Sequence, residues 1–343
     1  MSEIEALVQM LVDGAPGADV LARLRARYKP GFSQQNSIYR VRRLVAKRGI
    51  RNPDYDDTAL RTFDQEDGVR EFRDAPLHAQ CDLQRRHALQ PTWSSEAEAA
   101  LASLKLLPPN LDDFQVTRQE VLENEQRSEQ AVLARNAEPL VVPDGAALLS
   151  VVDGMLRAAS TSSTFQELAI PLLLVSGRRL SELMNGVSTF EPTDHPTMAI
   201  FSGQLKKKSQ EAKPFAIPLL CKFEVFEDAL AALRAKQVAG KTPVDSNAKC
   251  ALRYQKNLQR GLDAMIEKGA LPLPPCHLHS LRGIYAAMCF ATYQCSHTFC
   301  YTCCRILGHS SLKESLAYSA YTVEGCEAIR GSFGPLRLTR EDA

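Results

Sequence analysis

A mainly α-helical fold with one small β-hairpin is predicted, and three features of the sequence point to it. Helix-start signatures recur along the chain, with Ser2-x-x-Glu5 the first. Only two short segments, TMAIFSG (197–203) and KPFAIPL (213–219), have the β-branched and aromatic content of strands, and they flank one polar loop, QLKKKSQEA. Finally, a polar first part gives way near residue 140 to long apolar helical stretches, which divides the 343 residues into two regions.

The elements follow in order. The Ser2–Glu5 box opens a helix through ALVQML, and GAPG ends it. Asp19 can cap a second helix, VLARLRARY, which stops at Pro30-Gly31. Ser33 can start a third, through SIYRVRRLVAKR to Gly49. Residues 50–92, acidic and broken by Pro53, Pro76 and Pro91, read as a connector with short helices. Ser95 opens a helix that Pro108-Pro109 stops, and a polar helix is expected over 111–136. NAEPLVVPDG reads as the linker. Beyond it, helices are expected in GAALLSVVDGMLRAA and TFQELAIPLLLVSG, then over 222–238, 246–268, 277–293 and 297–307. No internal repeat is visible.

Composition narrows the function classes. No apolar run of about 18 residues occurs, so no membrane span is expected, and MSEIEALVQML lacks the basic start of a signal peptide. The chain therefore reads as intracellular. Its ten cysteines are irregularly spaced, which in a reducing compartment suits free thiols. The densest group, Cys295, His297, Cys300, Cys303 and Cys304, lacks the second well-spaced pair of a tetrahedral zinc site, so small buried hydrophobes are expected there and no metal.

A net charge of +1 conceals a strong asymmetry. Between Val20 and Arg51 stand ten basic residues and no acid: Arg23, Arg25, Arg27, Lys29, Arg40, Arg42, Arg43, Lys47, Arg48 and Arg51. A solvated helix face usually mixes signs, so this block favours a phosphate-binding surface and DNA as the partner.

Four segments carry unusual chemistry. VSGRRLSEL (175–183) sets two arginines at a glycine-marked junction, and FSGQLKKK (201–208) puts lysines at the hairpin tip. HLHSLR (277–282) places His279 and Arg282 three apart, and LGHSSLKESLAYSAY (307–321) sets His309 ahead of Tyr318 and Tyr321 on what reads as one helical face. Singly, each has a packing or ion-pair explanation; Arg179 can pair with Glu182, for example. Together they suit phosphoryl transfer to a tyrosine. Arginine forks neutralise phosphate oxygens, histidines hydrogen-bond the phosphate or move protons, and a lysine can protonate a leaving oxygen. No carboxylate cluster suggests Mg²⁺ and no glycine-rich loop suggests ATP, so no cofactor is expected.

In order and spacing this set resembles the tyrosine-recombinase (phage integrase) superfamily, and within it the telomere resolvases, or protelomerases. The doubled arginine of SGRRLSEL, FSGQLK, PFAIPLL and the helix ending ALRAK all resemble the resolvase catalytic domain. RNAEPLVVPDGAALLSVV and SIYRVRRLV resemble its upstream region. The resemblance implies a helical DNA-binding region over 1–140, a tyrosine-recombinase-like catalytic domain over 141–325 and a tail over 326–343. It implies catalytic roles for Arg179, Lys206, His279, Arg282 and His309, with Tyr318 as nucleophile; Lys207 and Lys208 remain rivals for Lys206. His279 stands where resolvases often carry lysine. The His309–Tyr318 interval matches the family's spacing, which leaves Tyr321 to packing. The implied reaction cuts a palindromic double-stranded DNA junction through a 3′-phosphotyrosyl link and seals hairpin ends, on a homodimer. The alternatives are a site-specific recombinase or integrase acting as a tetramer, and an inactive DNA-binding relative.

Overall fold

The computed structural model describes residues 2–88, 91–160, 163–184, 188–204, 213–238, 250–309 and 311–336. Helix dominates, with two small sheets, and the chain divides into two compact units, Met1–Gln130 and Ala131–Ala343. No described helix is long and apolar enough to cross a membrane.

The first unit is all helix and turn. In α1 (Glu3–Val12) the Ser2 Oγ accepts from the Glu5 amide while the Glu5 carboxylate accepts from the Ser2 amide, so the expected capping box forms. The next two starts differ from expectation. Helix α2 (Gly17–Arg27) begins after Pro16, with Asp19 in its first turn, where the carboxylate meets the positive end of the helix dipole without capping it. Helix α3 (Phe32–Lys47) begins after Gly31, one residue ahead of Ser33. Its apolar stripe of Ile38, Val41 and Val45 is fully buried, and α3 packs on α1.

The acidic stretch is no mere connector. Helices α4 (Thr58–Arg61), α5 (Val69–Asp74) and α6 (Leu77–His87) send Leu60, Val69, Phe72 and Leu77 into the same core as Leu7, Leu24 and Val41. Asp57 and Asp64 are spent on Arg73, at 3.0 Å for Asp57. Helix α7 (Ser95–Ser103) is capped by Ser94, and the polar helix α8 (Arg118–Ala137) starts later than expected, after a 3₁₀ turn over Pro109–Leu111.

The second unit is built around a buried helix. Strand β1 (Leu140–Val142) precedes α9 (Gly145–Arg157), which Asp144 caps by accepting from the Ala147 amide at 2.9 Å. Helix α10 (Phe165–Ser176) has a second capping box, Thr164 with Glu167, and is buried on every side from Leu168 to Ser176. An all-round apolar helix belongs at the centre of a domain, and neighbours pack on it from several directions. Short α11 (Leu180–Met184) follows.

The hairpin is present and larger than expected. Strands β3 (Met198–Ser202) and β4 (Phe215–Pro218) pair antiparallel, and an unexpected β2 (Thr189–Pro192) joins β3 on its other edge. Phe190, Phe201 and Phe215 interlock on one face, and Phe226 of α12 (Phe223–Val238) closes on Phe190. The described part of the expected 246–268 helix is a π-turn over Ala251–Gln255 and then α13 (Lys256–Glu267). Helices α14 (Ser280–Thr292), α15 (Phe299–Leu307) and α16 (Leu312–Ser315) lead to a 3₁₀ turn over Leu316–Tyr318 and strand β5 (Tyr321–Val323). The supposed linker is therefore structural, because β1 pairs in parallel with β5, Leu140 opposite Tyr321. The described residues of the supposed tail also pack: Phe333 stacks on Tyr293 at 5.3 Å and Leu336 is buried.

Candidate active site

The site begins where α10 ends. Gly177 terminates the helix in the left-handed conformation (φ 60°), and a Cβ there would fall 2.1 Å from the Tyr285 ring, so glycine is required twice over. The abrupt end throws the next two residues in different directions. Arg178 turns inward and is buried, its Nε donating to Ser176 O at 3.2 Å and an Nη2 donating to Ile306 O, with its guanidinium over the Phe201 ring at 4.9 Å. Burial, reinforced by nearby Arg282, pushes Arg178 down to about 10. Arg179 stays partly exposed and is steered by Glu182, which accepts from its Nη1 at 2.8 Å and from its amide at 2.9 Å. Burial of Glu182 opposes its ionisation, but Arg178 and Arg179 outweigh that and hold the carboxyl below its ordinary range.

Arg282, in the first turn of α14, ties two segments together. One Nη donates to Gly177 O and the other to Leu307 O, at 2.8 Å for the latter, so the arginine joins the end of α10 to the end of α15. It is buried, and burial lowers its pKa while the Tyr318 phenol works in the opposite sense. His309 follows directly on the αL residue Gly308 that ends α15. Its Nδ1 lies 3.0 Å from Ser315 Oγ, and its ring stacks on Tyr318 with centroids 5.3 Å apart. Burial first, and then Arg282 with help from Arg179 and Arg178, pushes the imidazole down to about 4. His309 is thus neutral at neutral pH and suited to hydrogen bonding more than to carrying charge.

The structure accordingly brings Arg282, His309 and Tyr318 into one cluster, with Arg179 close enough to influence both Arg282 and His309. His279 precedes α14 and, with Arg178, Arg179, Ser181 and Arg282, lines a cleft of about 290 Å³. Lys206, Lys207 and Lys208 lie outside the described residues. Two residues ahead of Lys206, the Gln204 Nε2 donates to Gly308 O at 2.7 Å, beside His309.

Tyr318 and Tyr321 do not share a helical face. Tyr318 closes a 3₁₀ turn, whereas Tyr321 opens β5 and lies flat on α14, where a Cβ at Gly283 would meet its ring at 2.3 Å. No group of three or more His, Cys, Asp or Glu among the described residues could hold a metal, and the cysteines are free thiols. Burial pushes Cys303 and Cys304 up, away from thiolate character.

In the first unit, Arg23, Arg25, Arg27, Lys29, Arg40, Arg43, Lys47 and Arg48 are exposed. Some hold acidic partners, Arg23 with Glu3 at 3.1 Å and Arg43 with Asp82 at 3.3 Å among them. Arg42 departs from the expected surface role. It donates to Leu111 O and to Phe114 O (2.9 Å for the latter), and burial lowers its pKa. Its place one residue past Val41 and three before Val45 puts it on the inward face of α3.

Three residues that pack around the site escaped the sequence reading. Arg178 was visible only as a duplicate of Arg179, and Gln204 and Ser315 carry no signal until the fold brings Gly308 and His309 beside them.

The telomere resolvase ResT/TelK catalytic domain matches residues 143–321 of this sequence. Among solved structures, a variant of protelomerase TelA covalently complexed with substrate DNA aligns with a TM-score of 0.55 at 18% identity, covering 90% of this chain and 96% of that one. A TelA variant complexed with a DNA hairpin product gives 0.53 at 18%, covering 75% and 88%. Protelomerase TelK complexed with substrate DNA gives 0.51 at 16%, covering 93% of this chain and 58% of that one. At such identities these structures establish likeness of fold. No curated protein matches by sequence. Matched over more than half of its 343 residues by that catalytic domain, the chain belongs to the telomere resolvase family, enzymes of DNA cleavage and hairpin-forming rejoining.

Proposed function

We propose that Tyr318 is the nucleophile with which this telomere resolvase cuts a palindromic DNA junction. The observation that supports this most is the convergence of a buried, carbonyl-bonded Arg282, a neutral His309 and the Tyr318 ring at the heart of the family-matched domain. The Tyr318 oxygen attacks the scissile phosphorus, a 3′-phosphotyrosyl bond forms, and the bond to the 5′ oxygen breaks. Arg179 and Arg282 neutralise the non-bridging oxygens, and His309 donates a hydrogen bond to one of them. Lys206 is the proposed general acid that protonates the leaving 5′ oxygen, and His279 assists proton transfer. In the second step the 5′-hydroxyl attacks the phosphotyrosine across its own duplex, releasing tyrosine and closing a hairpin. One phosphoester replaces another at each step, so the bond energy is conserved.

A palindrome has two-fold symmetry, so a homodimer sets one Tyr318 at each scissile phosphate. Exposed Arg23, Arg25, Arg27, Lys29, Arg40, Arg43, Lys47 and Arg48 supply phosphate contacts from the first unit. Incubation with a linear palindromic duplex, followed by a denaturing gel, tests the reading. Strands of doubled length that snap back on cooling are expected. Exchanged duplexes without hairpins would instead identify a conventional recombinase.

A further inference from the structure

One polar contact of the nucleophile segment involves a residue without an assigned role. Ser315 ends α16, three residues before Tyr318, and is fully buried, with its Oγ 3.0 Å from His309 Nδ1. A buried hydroxyl has no bulk water to take its proton; the Cys304 sulfur beside it is only a weak acceptor, whereas the ring nitrogen is a good one at ideal distance. Phosphate oxygens accept only. A neutral imidazole can serve them only in the form that carries its proton on Nε2, which requires a bare Nδ1.

We infer that Ser315 is a positioning residue: its hydroxyl donates to His309 Nδ1, which fixes the ring plane and holds the imidazole as the Nε2–H tautomer that donates to the scissile phosphate. This rests on the proposed role of His309. The surroundings are consistent with it. The charged groups that bear on the imidazole are Arg282, Arg179 and Arg178, which disfavour a second proton, and Glu314, which opposes them with less effect. With the imidazolium form disfavoured, the choice of tautomer decides whether a donor faces the phosphate. The backbone is fixed as well, because the His309 amide donates to Cys304 O at 2.9 Å and Cys304 Sγ donates to His309 O at 3.4 Å. Ring rotation about the side-chain bonds is then the main freedom left, and Ser315 restrains it.

The test uses the full chain with ¹⁵N-labelled histidine and a nicked substrate that traps the covalent complex. Ser315→Ala is expected to slow trapping about 10- to 100-fold, as for other outer partners of functional histidines, with DNA affinity unchanged. Ser315→Thr, which keeps the hydroxyl, is expected to stay within about 3-fold of the parent on the same principle. Long-range ¹H–¹⁵N spectra of His309 should show the Nε2–H tautomer in the parent and in Ser315→Thr, and a mixture or the Nδ1–H form in Ser315→Ala. If Ser315→Ala proves too unstable to purify, Ser315→Cys keeps the volume with a weak donor and should show the same two changes. An Nε2–H tautomer that survives loss of the hydroxyl, or trapping at the parent rate in Ser315→Ala, overturns the inference. His309→Ala separates the two levels: if it traps at the parent rate, the reading of His309 itself fails, whereas a slow His309→Ala beside a fast Ser315→Ala refutes only the role of Ser315.

Discussion

Arginine is used in opposite ways in the two units. On α2 and the outer face of α3, Arg23, Arg27, Arg40 and Arg43 stand in solvent, with Glu3 as the acidic partner of Arg23 and Asp82 as that of Arg43. In the second unit, Arg178 and Arg282 are buried, and each donates to two backbone carbonyls, Arg178 to those of Ser176 and Ile306 and Arg282 to those of Gly177 and Leu307. Exposed guanidinium groups act through a screened field and can be exchanged for one another. Buried ones act through geometry, because desolvation makes every donor count. The first kind suits holding a duplex, and the second suits fixing the few atoms around a reacting phosphorus.

The buried kind of arginine should matter most at Arg282. Arg282→Ala is expected to reduce covalent trapping by about 10²- to 10³-fold, the usual loss for one preorganised donor. Arg282→Lys should rescue little of it, since one ammonium cannot reproduce the fork that reaches Gly177 O and Leu307 O. Trapping near the parent rate in Arg282→Lys would mean that charge alone suffices there.

Glu182 offers the next largest effect. Its carboxylate is fully buried and answers Arg178 and Arg179. Glu182→Gln removes the countercharge and is expected to cost about 3 kcal/mol of stability, in the range for breaking a buried pair. Thermal melting measures it. An unchanged melting temperature would show that the pair is dispensable.

The smallest effects lie on α3, where two neighbours should behave oppositely. Arg42→Gln is expected to lower stability by about 1–3 kcal/mol, the cost of leaving buried carbonyls unpaired, and to leave the salt dependence of DNA binding alone. Arg40→Gln should do the reverse, with melting unchanged and the slope of log affinity against log salt falling by about 0.9 per lost phosphate contact. If Arg42→Gln were the one to lower the slope, the inward reading of that side chain would be wrong.

The same contrast explains what could be read from the sequence. The helices of the second unit and the strands of the hairpin announce themselves through apolar runs, β-branched content and the Gly-Arg-Arg, His-x-x-Arg and Gly-His strings. These are local signals. The β1–β5 pairing joins residues about 180 apart through three-residue strands, and nothing local marks LVV as a strand rather than a linker. The acidic stretch 50–92 hid its core residues because Leu60, Val69, Phe72 and Leu77 are scattered among prolines and acids. Arg42 was readable in principle, since its helical spacing from Val41 and Val45 turns it inward, but the charge count concealed it. Ser315 was not readable, because serine is common and only the fold brings it to His309.

Whether Tyr318 forms the covalent link is decided by trapping on a nicked palindromic substrate with Tyr318→Phe and Tyr321→Phe, each compared with the parent. Tyr318→Phe should bind DNA with parental affinity and form no covalent complex, while Tyr321→Phe still traps. A covalent complex that persists in Tyr318→Phe and disappears in Tyr321→Phe would contradict the assignment and move the nucleophile to β5.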